Sequence, residues 1–111
     1  MSEEQARRVG LNESIFRQVN EQIESLNRDL GTDGTAITVV CECADGECTE
    51  RFEMQISAYE RVRADPRCYV VVPGHELPRY ESVVDRGDGY DVVQKRDGTA
   101  AALAEETDPR S

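Results

Sequence analysis

Ala36-Ile-Thr-Val-Val-Cys41-Glu-Cys43-Ala-Asp45-Gly46-Glu-Cys48 is the stretch whose reading decides the fold. Ile37, Val39 and Cys41 alternate with Thr38 and Val40, the two-residue period of a strand with one face apolar throughout. Carried past the end of that strand, the same period points Cys41 and Cys43 to one side. Asp45-Gly46 favours a tight reversal that returns Cys48 towards them. Three thiols thus converge by local geometry, at sites that suit a zinc ion about 2.3 Å from each sulfur.

Working downstream, Phe52, Met54 and Ile56 alternate with Glu53 and Gln55, a second half-buried strand. Ser57-Ala-Tyr-Glu60 fits a capping box and opens a short helix that Pro66 ends. Cys68–Val72 is continuously apolar and reads as a central strand. Tyr80–Asp85 and Tyr90–Gln94 flank Arg86-Gly-Asp-Gly89 and form a hairpin. Upstream, Ser2 to Leu30 has helical periodicity, with apolar residues at Val9, Ile15, Phe16, Val19, Ile23, Leu26 and Leu30. Steps of four, three and four from Val19 make a heptad-like seam. Ser2 with Gln5 fits a capping box, Gly10 speaks against one unbroken helix, and Asn12 is a second possible start for a helix stopping at Gly31. The seam is expected to bury Ile15, Phe16, Val19, Ile23 and Leu26, against the chain's own sheet or a second copy. Asp97 to Ser111 carries Ala and Glu without an apolar stripe, the pattern of a frayed or flexible tail. The resulting division is an amphipathic helix at 1–30, a zinc-stapled β-rich domain at 31–96 and the tail at 97–111. The fold class is α+β: a long N-terminal helix, a small antiparallel-rich sheet and one short helix.

A structural zinc takes four ligands, and two residues compete for the fourth place. His75, the only histidine, stands in Val72-Pro-Gly-His-Glu76, where Pro-Gly bends the chain and frees N–H groups to point at sulfur. Glu76 is placed to meet the ring's other nitrogen. Cys68 opens an apolar strand and reads equally as a small buried side chain. The favoured set is Cys41, Cys43, Cys48 and His75, with the all-cysteine set as its competitor. An iron–sulfur cluster lacks the plant-type C-x4-C-x2-C order. A Cys41/Cys43 redox pair has no basic neighbour to lower a thiol pKa, and Glu42, Asp45 and Glu47 are expected to raise it.

Composition excludes several functions. Acidic side chains number 23 against 13 basic, a formal net charge of −10, so a phosphate backbone would repel the chain and nucleic-acid binding is not expected. No apolar run approaches the ~20 residues of a membrane span. The acidic first residues differ from the basic, then apolar, start of a secretory signal, which with four cysteines suggests a reducing, cytoplasmic setting. GxGxxG, P-loop and Ser/His/Asp arrangements are all missing, so no enzyme is expected. With no Trp and two Phe, the chain can bury only a modest core, and bound zinc would add stability directly. The carboxylates Glu42, Asp45, Glu47, Glu50 and Glu53 read as a solvated acidic surface.

Asn12–Ile23, Cys41-Glu-Cys-Ala-Asp45 with Cys48, and Val72–Glu76 together resemble short bacterial proteins, chiefly from actinobacteria, built as an N-terminal helix followed by a cysteine-containing β domain. The resemblance covers most of residues 5 to 95. It implies a cytoplasmic protein with Cys41, Cys43, Cys48 and His75 as the shared polar cluster, leaves Cys68 outside, and brings no activity with it. The function expected is that of a small acidic zinc-binding module acting through protein–protein contact, with a regulatory role and self-association through the N-terminal helix both in view. A thiol-based redox or metal sensor is the alternative.

Overall fold

The computed structural model describes residues 3–29 and 36–110. Ser2, Leu30 and Gly31, read above as cap, seam end and stop, lie outside them. Helix α1 runs unbroken over Glu3–Asp29, with Glu3 and Glu4 in the first turn where the helix dipole favours acids. Its 27 residues extend about 40 Å at 1.5 Å each, close to the molecule's longest dimension of 44 Å.

Strand β1 (Ala36–Val40) pairs antiparallel with β2 (Arg51–Gln55), which leads directly into helix α2 (Ile56–Arg63). Strands β3 (Cys68–Val71), β4 (Glu81–Arg86) and β5 (Asp91–Lys95) form a second antiparallel sheet in the order β3-β5-β4. The fold is therefore α+β, with its five strands divided between two sheets. Cys41–Cys43 joins them. The Cys41 N–H donates to the Glu50 carbonyl on the β2 side, and the Glu42 N–H donates to the Val70 carbonyl of β3. β3 is an edge strand of its sheet rather than the central strand its apolar run suggested, and it is buried along its length with the Glu42 segment bonded to its open side. The Ser57–Glu60 capping box is not made. The helix begins at Ile56 after an extended Gln55 with no side-chain cap, and the Glu60 carboxylate pairs with Arg28 and Arg110.

The tail is a third helix rather than a frayed segment. Helix α3 (Thr99–Glu106) buries Ala100, Ala101, Leu103 and Ala104. Small side chains let it approach α1 closely, and Gly10 is the meeting point. A Cβ at Gly10 would stand 3.0 Å from Leu103 Cδ1 and 3.5 Å from the Ala100 Cα. Gly10 thus serves helix–helix contact and does not interrupt α1.

The seam of α1 does not bury against the chain's own sheet. Ile15, Val19 and Leu26 are 60%, 40% and 64% exposed, Phe16 is half-buried, and only Ile23 packs on the main apolar core. The inward stripe is Glu13, Arg17, Asn20 and Glu24, which also steps by four, three and four and is almost wholly buried. Each of the first three meets an element whose polar groups need partners. Glu13 receives Lys95 of β5, with Nζ···Oε2 at 2.6 Å. Arg17 donates to the Pro66 carbonyl at 2.7 Å and the Ala104 carbonyl at 2.8 Å. Asn20 both donates to the Val40 carbonyl and accepts from its N–H, each at 2.8 Å, closing the outer edge of β1. Helix α1 therefore lies against the edge of β1, the last residue of β5 and carbonyls at the C-terminal ends of α2 and α3. Among the described residues, no helix is long and apolar enough to cross a membrane.

Candidate metal centre

Past β1 the strand-like alternation continues through Cys41, Glu42 and Cys43, so the two sulfurs face one way and the carboxylate the other. The reversal is closed by the Cys48 N–H donating to the Asp45 carbonyl at 3.0 Å, and the Asp45 carboxylate accepts from the Glu47 N–H at 2.9 Å. On the far side, the His75 N–H donates to the Val72 carbonyl at 2.9 Å, across Gly74 at φ +92°. That left-handed backbone suits glycine and swings the imidazole inward.

The structure brings Cys41, Cys43, Cys48 and His75 together: one ligand atom from each lies within 4.8 Å of every other. His75 Nδ1 is 3.6 Å from Cys41 Sγ and 3.8 Å from Cys48 Sγ. Bond lengths of about 2.3 Å to sulfur and about 2.0 Å to nitrogen place tetrahedral corners about 3.5–3.8 Å apart, so the two sulfur–nitrogen spacings come within about 0.3 Å of a closed four-ligand site. Cys41 and Cys43 are buried and Cys48 is half-buried. Cys68, the competing fourth ligand, is buried in the main apolar core beside Tyr59, Val62 and Val70 and outside the group. All four cysteines are free thiols.

Main-chain amides supply the sulfurs' surroundings. The Val72 N–H donates to Cys41 Sγ at 3.2 Å, as the Pro-Gly bend implied, and the Asp45 and Glu50 amides serve Cys43 and Cys48. Such donors stabilise negative charge on sulfur. The thiols do not act alike. The proton that Cys41 offers to Cys43 keeps the Cys41 thiol well above its ordinary range. That same hydrogen bond, with the Asp45 amide, His75 and Cys48, brings Cys43 down to about 5. Burial pushes Cys48 up, and pushes Cys68 up to about 12. The expectation that nearby acids would raise the thiols of the Cys41/Cys43 pair thus fails at Cys43, because hydrogen bonds there outweigh burial. Glu76 follows His75 with its Oε1 buried and without a hydrogen-bond donor.

Glu42 is the residue that the sequence reading misplaced. It is fully buried rather than part of an acidic surface. Arg63 Nη2 lies 2.9 Å from its Oε1, the Val70 N–H donates to Oε1 at 3.0 Å, and Asn20 donates to Oε2 at 2.7 Å. The alternation that aims two cysteines at the metal site requires the residue between them to point the other way. That was the available signal.

Fold and site together define a small α+β protein with a Cys3His group able to hold a metal ion. The chain matches no protein-family model, no curated protein and no solved structure.

Proposed function

We propose that this protein is a small zinc-stapled module that works by contact with other protein surfaces in the cytoplasm, as a regulator and not as an enzyme. The observation that carries the reading is the closed Cys41, Cys43, Cys48 and His75 set with its amide donors. Three thiolates, one neutral imidazole and Zn²⁺ sum to about −1, which leaves a four-ligand site with little Lewis acidity and no vacant position. Zinc held there would tie Cys41 and Cys43 to the turn after β3, and so tie the two sheets together. Four free cysteines are consistent with a reducing compartment.

Elemental analysis of purified protein, with zinc release and circular dichroism followed together under chelator, tests this. One zinc per chain is expected, with loss of β signal on the same curve as loss of metal, because binding free energy at such a site is folding free energy. His75→Ala should lower retention far more than Cys68→Ala. The reverse order would restore the all-cysteine set. Metal loss that leaves fold and melting temperature unchanged would instead support the sensor reading.

A further inference from the structure

We propose that the outer face of α1 pairs with the same face of a second copy of this chain, giving a two-fold homodimer with antiparallel α1 helices. In a chain of net charge −10, every exposed α1 residue from Leu11 to Leu26 is uncharged. The charged residues of that stretch are turned away: Glu13, Arg17 and Glu24 are buried, and Glu21 pairs with Arg110. What faces outward is Leu11, Ile15, Val19 and Leu26, from 40% to 64% exposed, separated by Gln18 and Gln22. A helix that spends its charges inward and its aliphatic residues outward is built to be covered on both sides.

The occupant is argued from charge and symmetry. A second copy carries a net charge of the same sign, so the two can meet only where neither presents that charge, and this strip is such a place. Glutamine amides both donate and accept, so Gln18, at the centre of the strip, is complementary to its own copy. A two-fold axis crossing α1 between Gln18 and Val19 places Leu11 of one copy opposite Leu26 of the other and Ile15 opposite Gln22, and it sets the helix dipoles antiparallel. The strip spans about 22 Å at 1.5 Å per residue. Four aliphatic side chains offer on the order of a few hundred Å² per copy, below the ~800 Å² of a standard interface. The dimer is therefore reversible and concentration-dependent. None of this uses the metal, so failure of the zinc reading leaves it standing.

Sedimentation velocity on the full chain, from micromolar to millimolar concentration, is the test, with parent, Ile15→Glu and Leu26→Glu compared. Circular dichroism and bound zinc are measured on the same samples. The parent should pass from monomer to dimer as concentration rises, and each substitution should hold the protein monomeric with fold and metal content unchanged. Because both side chains are largely exposed, neither change threatens the monomer. A parent that stays monomeric throughout assigns the strip to a different protein and overturns the proposal. Variants that dimerise as readily as the parent place the interface elsewhere and also overturn it.

Discussion

Glu42 shows at the scale of one residue how this chain uses buried charge. Its partner Arg63 has a side chain 2% exposed, lies over the Tyr59 ring at 5.2 Å, and donates to the Cys68 carbonyl at 2.8 Å. Breaking one side of such a pair strands the other charge in a low-dielectric interior, at a cost of about 3–5 kcal/mol. Glu42→Gln should lower stability in urea by that amount, whereas Glu53→Gln, exposed on β2, should stay within about 0.5 kcal/mol of the parent. Equal effects from the two would show that the Glu42–Arg63 pair contributes nothing. The four clustered residues were all legible in the sequence, because strand alternation, an Asp-Gly turn and a Pro-Gly turn are local signals. The role of Glu42 was hidden because its partners, Asn20 and Arg63, are about twenty residues away on either side.

Among the elements, the α1–α3 contact depends on the smallest side chains. With 3.0 Å from a notional Cβ at Gly10 to Leu103, and the Ala100 backbone behind it, a bulky residue there must push α3 outward. Gly10→Leu should cost about 1–3 kcal/mol, the usual range for overpacking a tight contact. Amide exchange should show faster opening of α3 than of β5. An unchanged α3 would mean that the two helices do not rely on this approach. The strands were readable to within a residue or two, since β-branched runs and turn residues mark them. Helix α3 was not, because alanine makes no conspicuous apolar stripe and its burial depends on a glycine some ninety residues earlier. That the seam would not pack on the chain's own sheet was hidden for a related reason. Apolar periodicity identifies a helix, but here the inward face meets a strand edge, a buried lysine and helix-end carbonyls, which require hydrogen-bonding side chains.

Across the whole molecule, the carboxyls Glu24 and Glu60 join the C-terminal end of α1 to α2 and to the residues after α3, through Arg28 and Arg110. Burial, with Glu60 as a hydrogen-bonding neighbour, raises Glu24 from 4.5 to about 7, while the Arg110 hydrogen bonds lower Glu60 to about 2. The signs are opposite. Folded Glu24 keeps a proton that the unfolded chain releases, so its stabilisation is complete below 4.5 and is lost as pH rises through about 7. Glu60 stabilises above 4.5 and loses this as pH falls towards about 2. The unfolding free energy of the parent minus that of Glu24→Gln should therefore decline between these upper limits, and the difference for Glu60→Gln should decline only on the acid side. Flat differences would show that neither carboxyl is perturbed. The cluster of Cys41, Cys43, Cys48 and His75, finally, would impose an order of assembly on a metal-bound chain. Cys41 and Cys48 are seven residues apart, whereas Cys48 and His75 are separated by 27, and loop-closure entropy rises with the logarithm of length. Under the proposed zinc binding, an ion meeting the unfolded chain would encounter the thiols as a ready chelate and the imidazole as the last arrival. Coordination by His75 would then report that β3 has docked, and the fourth bond would act as a proofreading step on the fold.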